Sequence, residues 1–339
     1  MSFDRIPKGS LILITGATGF IGSAVTDAAL RHGFKVRGVT RSISKASVFV
    51  KSLEDKYGKG AIEMVEVKDL TVPDAFDGTL EGVSLFITFF LRVHVGARCL
   101  RSAVQSTVVL MKAAAKAPSV NSFILTSSRV AVFVPDYDQP DISPKVDQWA
   151  DHMVTAAKQT PDDHPTKPVL VYAASKVESE RAAFEFYNSA RPSYAFNTVL
   201  PDLVFGPVFN PTPGMYTTHS FLNSLFLSEP EPLILNFVKP APLAVDVRDV
   251  ASMHLAALLS SSMQERRIWA AAHRFEINDI LAIWREEFPE RKFVEDFKLP
   301  PQPKITLDLT ESEELLRAFE GRSWLPFRET VIVNVQDVL

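Results

Sequence analysis

Of the six tyrosines in the chain, only Tyr172 has a lysine four residues on, in Tyr172-Ala-Ala-Ser-Lys176. On a helix, positions i and i+4 share one face. That pairing suits proton transfer. A phenol with a pKa of about 10 is a poor acid or base at neutral pH until a neighbouring ammonium stabilises the phenolate. In a carbonyl reduction such a tyrosine donates a proton to the oxygen while hydride reaches the carbon, and the lysine keeps it poised and holds a nicotinamide ribose. Upstream, Phe123-Ile-Leu-Thr ends in Ser127-Ser128. A hydroxyl at the C-terminal edge of a strand is placed to bind a substrate carbonyl beside the tyrosine. A serine there can equally cap the segment that follows.

A second constellation lies near the N-terminus, where Leu11-Ile-Leu-Ile-Thr15 runs into Gly16-Ala17-Thr18-Gly19-Phe20-Ile21-Gly22. Three glycines at a spacing of three, after an apolar strand and at the mouth of a helix, allow a dinucleotide pyrophosphate to approach the backbone. The helix N-terminus offers unpaired N–H groups and a positive dipole end. Gly22 lets the helix pack tightly on the strand, although glycines also mark ordinary turns.

Cofactor choice is written at the end of the second strand, where an acidic residue would bind the ribose hydroxyls of NAD and a basic one a 2'-phosphate. The chain has Thr40-Arg41-Ser42 and then Lys45. Arg41 offers a planar fork and Lys45 a point charge, which favours NADPH. Asp69 and Leu70, just past the third strand, are candidates for an adenine contact.

These residues need a scaffold. The alternation of short apolar runs and helical segments predicts a doubly wound α/β sheet of the Rossmann type. Expected strands are Leu11 to Thr15, Lys35 to Thr40, Glu63 to Val67, Ser84 to Phe89, Ser122 to Thr126 and Asn197 to Pro201; expected helices are Ile21 to His32, Val104 to Lys116 and Ala174 to Ser189. Val134 to Lys167 is rich in Pro and Asp and reads as a long excursion with one short helix near Gln148 to Lys158. The expected division gives residues 1–203 to the dinucleotide-binding domain, with 243–262 returning to its sheet. Residues 204–242 and 263–339 form a smaller substrate-binding domain.

Composition sets outer limits. A chain of 339 residues and 37.6 kDa has room for both domains. A net charge of -4 gives no reason to invoke nucleic acid, so small-molecule chemistry is the default expectation. The single cysteine, Cys99, permits no intrachain disulfide and suggests a reducing compartment. The longest apolar stretch, Val83 to Val95, is too short to span a bilayer and carries Arg92 and His94, so the expected location is the cytoplasm. No histidine set has metal-ligand spacing; His32 and His254 read as helix residues. Phe221, Phe226 and Phe237 suit either an apolar pocket or core packing. Nothing in the sequence fixes an oligomeric state.

In combination these motifs resemble the extended short-chain dehydrogenases/reductases, and within them the fungal NADPH-dependent aldehyde and carbonyl reductases and plant dihydroflavonol reductases. The resemblance rests on Thr15 to Gly22, Val36 to Ser42, Ala117 to Val120 with Phe123 to Ser128, Val171 to Lys176, Val199 to Asp202 and Val245 to Val250. It implies that Ser128 completes a catalytic triad with Tyr172 and Lys176, that Pro201 flanks the nicotinamide, and that Val204 to Phe209 with Met215 border the substrate pocket. The implied reaction is hydride transfer from NADPH to an aldehyde or ketone. One segment departs from the pattern: Thr88 to Gly96 carries bulky Phe89, Phe90 and Leu91 where the family has His and small residues under the cofactor. That departure motivates an alternative, a catalytically silent NADP-binding protein. An epimerase would share the glycine turn and the Tyr/Lys pair but is expected to have an acidic residue in place of Arg41. A dehydratase would have Thr-Asp-Glu where this chain has Ser128-Arg-Val.

Overall fold

The apolar runs become strands covered on both faces, as parallel strands flanked by helices must be. The computed structural model describes residues 1–88, 97–135, 140–212, 217–228 and 243–339. Within them lie β1 (Leu11–Thr15), β2 (Lys35–Thr40), β3 (Ile62–Glu66), β4 (Val83–Thr88), β5 (Ser122–Thr126), β6 (Ala195–Pro201), β7 (Leu203–Phe205), β8 (Leu243–Asp246), β9 (Arg266–Ala270) and β10 (His273–Arg274). Every residue of β5 and β6 is buried. Among the described residues the main sheet has seven strands in the order β3-β2-β1-β4-β5-β6-β9, all paired in parallel. The order reverses at β1, which opens a crevice outside the C-terminal ends of β1 and β4, where doubly wound sheets bind ligands.

The helices are α1 (Phe20–Arg31), α2 (Ile43–Tyr57), α3 (Ala97–Lys116), α4 (Asp151–Gln159), α5 (Lys167–Ala190), α6 (Thr217–Phe226), α7 (Val247–Leu259), α8 (Ile277–Glu287), α9 (Thr310–Glu320) and α10 (Phe327–Asn334). One face of the main sheet packs α1 against α7, through Ile12, Val25, Leu85, Met253 and Leu255. The other packs α3 against α5 over Leu13, Phe86, Phe123 and Phe196. Two ring contacts tie β4, β5 and β6 together on that face, Phe86 to Phe123 at 4.8 Å and Phe123 to Phe196 at 6.1 Å.

Several expected boundaries shift. Strands β3 and β4 each begin one residue earlier than expected, and α3 and α5 each begin seven residues earlier. For α5 the reason is Pro168, which fits the first helical turn because it needs no hydrogen-bond donor there. The consequence matters: Tyr172 sits inside the helix with Lys176. The Pro-rich excursion does hold a short helix, α4.

The expected return of 243–262 to the main sheet needs correction. Strand β8 pairs with β7 and β10 in a separate three-stranded sheet, and only α7 rejoins the main layers. The seventh strand of the main sheet is β9, from the stretch expected in the smaller domain. The small sheet covers its own core of Phe205, Phe221, Phe226, Phe275, Trp284 and Val331. Among the described residues no helix is long and apolar enough to cross a membrane.

Candidate active site

The glycine turn is built for close approach. Gly16 takes φ 63°, a left-handed conformation that favours glycine, and its carbonyl accepts from Gly19 N at 2.9 Å. A Cβ on Gly22 would stand 2.0 Å from the Gly16 oxygen and 2.8 Å from its carbonyl carbon; on Gly19 it would stand 3.3 Å from the same oxygen. Gly22 is therefore required by packing. Gly19 caps α1 with no side-chain bond, and the first turn carries no acidic residue. This N-terminus, with Gly16 exposed, fits a pyrophosphate. Asn210 Nδ2 donates to Thr18 O at 2.8 Å and His219 lies 5.5 Å from the Phe20 ring, so the chain after β7 braces the turn. Ile21 packs on the α1 side of the main core.

At the end of β2, Arg41 and Lys45 are both exposed, and neither forms an ion pair among the described residues. Beyond β3, Asp69 accepts from Thr71 N at 2.9 Å and Thr71 Oγ1 at 2.7 Å, which shapes a tight turn and presents Leu70 half-buried at its edge.

Ser128, Tyr172 and Lys176 converge at the C-terminal ends of β5 and β6. Ser128 Oγ donates to Pro201 O at 3.5 Å and accepts from Val130 N at 3.5 Å, so the serine caps a short 3-10 turn, and it lies near enough to the Tyr172 phenol to lower its pKa. Its neighbour has a different task. Ser127 Oγ donates to Glu180 Oε2 at 2.7 Å, deep in the protein. Lys176 is buried, donates to Thr126 O at 3.0 Å, and lies 5.9 Å from the centre of the Tyr172 ring.

The electrostatics bring in groups that the spacing did not name. Burial raises the Tyr172 phenol above its ordinary value, with Ser128 and then Arg129 pulling it back and Asp202 opposing them. Arg129 is thus a further cation acting on the phenol, in addition to Lys176 over its ring. Burial also pushes Lys176 down to about 8, against the pull of Glu180. The phenol consequently stands protonated at neutral pH, the form a proton donor needs.

Sequence reasoning gave no role to four groups here. Arg129 Nε donates to Asp202 Oδ1 at 2.8 Å, and Asp202 Oδ2 accepts from Leu243 N at 2.9 Å, which ties β5 to β6 and β8. Glu180, fully buried, takes Ser127, Thr198 Oγ1 at 2.6 Å and both Nε and Nη2 of Arg267 at 2.9 Å, locking α5 on the sheet. His254 Nδ1 faces Val250 O at 2.7 Å and can only donate to it, so Nε2, at 2.8 Å, accepts from Thr126 Oγ1. The available signal was positional: Arg129 follows the serine pair, Asp202 follows Pro201, and Glu180 is one turn beyond Lys176.

Other expectations resolve differently. Val204 and Phe205 are buried core side chains, and Phe221 and Phe226 belong to the core of the small sheet. Met215 and Phe237 lie outside the described residues, as do residues 89–96 of the departing segment; its first residue, Thr88, meets Thr15 hydroxyl to hydroxyl at 3.0 Å. His32 caps α1 and His254 sits inside α7. No cluster of potential metal ligands occurs among the described residues.

A model of the NAD dependent epimerase/dehydratase family matches residues 12–272. Aldehyde reductase 2 of Sporidiobolus salmonicolor is 32% identical over 332 residues, covering 96% of this chain and 95% of the relative. Ketoreductase adrE of Penicillium rubens is 32% identical over 330 residues, covering 95% and 94%. Among solved structures, the yeast methylglyoxal/isovaleraldehyde reductase Gre2 complexed with NADPH superposes with a TM-score of 0.79 at 26% identity, covering 97% of this chain and 98% of that one.

Proposed function

We propose that this chain, which belongs to the NAD dependent epimerase/dehydratase family, is an NADPH-dependent oxidoreductase that reduces an aldehyde or ketone to an alcohol. The observation that carries the reading is the convergence of Ser128, Tyr172 and Lys176 beside a glycine cradle. The reductase names of its relatives support it.

When bound, the cofactor supplies the hydride. Everything else falls to the protein. Gly16, Thr18, Gly19, Phe20, Ile21 and Gly22 hold the pyrophosphate at the α1 N-terminus, where N–H groups and the helix dipole meet its charge. Arg41 and Lys45 take the 2'-phosphate, Asp69 and Leu70 border the adenine, and Pro201 lies against the nicotinamide. Ser128 orients the substrate carbonyl, and Tyr172 gives its phenolic proton to the carbonyl oxygen as charge develops there. Lys176 holds the ribose and returns positive charge to the phenolate left behind. The main sheet with α7 and β9 forms the cofactor half, and the small sheet with α8 and α10 shapes the substrate half. The epimerase reading is weaker, because the exposed cations at the end of β2 suit a phosphate better than free ribose hydroxyls.

The test is NADPH oxidation against a panel of aldehydes and ketones, with NADH in parallel and Tyr172→Phe as the variant. Turnover by the wild type, lost in Tyr172→Phe while NADPH binding persists, is the expected result. Tight NADPH binding with no turnover of any carbonyl would select the silent binder, and a fully active Tyr172→Phe would remove the proton-transfer assignment.

A further inference from the structure

Directly after Ser128 in the chain begins a charge pair that the proton-transfer steps do not use. Arg129 is the residue after Ser128, and Asp202 the residue after Pro201. Their side chains are 9% and 1% exposed and meet at 2.8 Å. The Arg129 guanidinium rests on the Phe133 ring, 5.2 Å from its centre, and its Nε is spent on Asp202. Nη1 is buried yet has no hydrogen-bond partner among the described residues. A buried guanidinium donor left unmet costs free energy, and proteins seldom leave one so without a use. The pair adjoins the site through the chain, since Ser128 Oγ donates to Pro201 O at 3.5 Å and Arg129 and Asp202 are the residues that follow these two.

We propose that Arg129 is a specificity-determining residue, its Nη1 donating to a second, uncharged oxygen of the substrate, such as the ester carbonyl of an oxo ester. The inference rests on the reductase reading above. Uncharged follows from Asp202, which already neutralises the guanidinium, so a carboxylate would bring a second negative charge to a single buried cation. A site built around a hydrogen bond also rejects the analogue lacking the acceptor, because its own donor is then stranded.

The experiment compares kcat/KM, with NADPH saturating, for ethyl 3-oxobutanoate, for 2-heptanone of the same chain length, and for 3-oxobutanoate. Wild type is expected to prefer the ester over 2-heptanone by at least about tenfold, the worth of one charged hydrogen bond. Arg129→Lys retains a cation for Asp202 but lacks the second donor arm, so the ester preference should collapse. Asp202→Asn leaves the guanidinium without its counter-charge, so 3-oxobutanoate should gain on the ester. The second variant stands if the first does not fold. An ester preference absent in the wild type or unchanged in Arg129→Lys, or an unaltered acid-to-ester ratio in Asp202→Asn, would overturn the proposal. Absence of turnover with all three compounds and with the wider aldehyde panel would instead remove the reductase reading on which it stands.

Discussion

The ammonium of Lys176 donates to the main-chain oxygen of Thr126 at 3.0 Å, at the last residue of β5. That bond holds the lysine inside the protein, and burial drives it from 10.5 to about 8. The folded state therefore binds its proton more weakly than the unfolded chain does. Below about pH 8 the fold carries the full cost of a buried charge, and between about 8 and 10.5 that cost is relieved. Lys176→Met has no such titration. Relative to the variant, the wild type should gain up to about 3 kcal/mol between pH 7.5 and 10.5, at about 1.4 kcal/mol per tenfold change in the equilibrium constant. Urea unfolding at both pH values measures it, and a pH-independent difference would contradict the assignment; carbonyl reduction is lost in the variant at either pH.

His254 stands behind the same threonine, and burial pushes it down to about 4 from 6.5. Here too the unfolded chain binds the proton more tightly, so stability is intact above about pH 6.5 and falls as the pH drops towards 4. Protonation would also destroy the acceptor for Thr126 Oγ1. His254→Asn should flatten this acid limb, with the wild type losing up to about 3 kcal/mol more than the variant from pH 7 to 4. Equal acid sensitivity of the two in chemical denaturation would show that other groups govern the transition.

Much of this was legible in the chain because the signals are local. Gly16, Gly19 and Gly22 announce themselves through a strand before and a helix after, and Tyr172 with Lys176 through helical spacing. What escaped was long-range. Nothing near Arg129 says that Asp202, 73 residues on, will meet it, and nothing near Glu180 names Arg267, 87 residues on. The misplacement of β8 has a similar origin: a run of three apolar residues, Leu243 to Val245, before a helix fits the edge of either sheet, and only partner strands in β7 and β10 decide between them. The influence of Lys176 on Tyr172 was read from spacing, whereas the burial of the phenol and the Arg129 charge depend on the whole fold.

The glycines separate folding from binding. At Gly22 an added methyl meets main-chain atoms at 2.0 and 2.8 Å that cannot retreat without moving α1 off β1. Gly22→Ala should cost stability by about 1–3 kcal/mol or more, as overpacked cores do. At Gly19 the nearest atom among the described residues is Gly16 O at 3.3 Å, so Gly19→Ala should melt within a few degrees of the wild type yet bind NADPH much more weakly, because the methyl occupies the space the phosphates need. Calorimetry with and without NADPH reads both effects. Equal destabilisation of the two variants would mean the turn serves packing alone.

Arg41 and Lys45 stand exposed at the end of β2 with no ion pair among the described residues, while Glu66, at the end of the neighbouring β3, holds Ile43 N at 3.4 Å at the start of α2. The local balance between these cations and that carboxylate sets which ribose is accepted. Arg41→Asp reverses it: a planar fork is lost, and a second anion joins Glu66 where a phosphate should sit. A charged hydrogen bond is worth about 1.5–3 kcal/mol, so the variant should lose at least about tenfold in NADPH affinity from the missing fork alone, with further loss from repulsion. NADH carries no phosphate there and gains a partner for its ribose hydroxyls, so its affinity should hold or improve. Because both residues are solvated, the fold should be untouched and the melting temperature unchanged. Fluorescence titration with each nucleotide decides the matter, and a parallel loss for both would move the phosphate site away from β2.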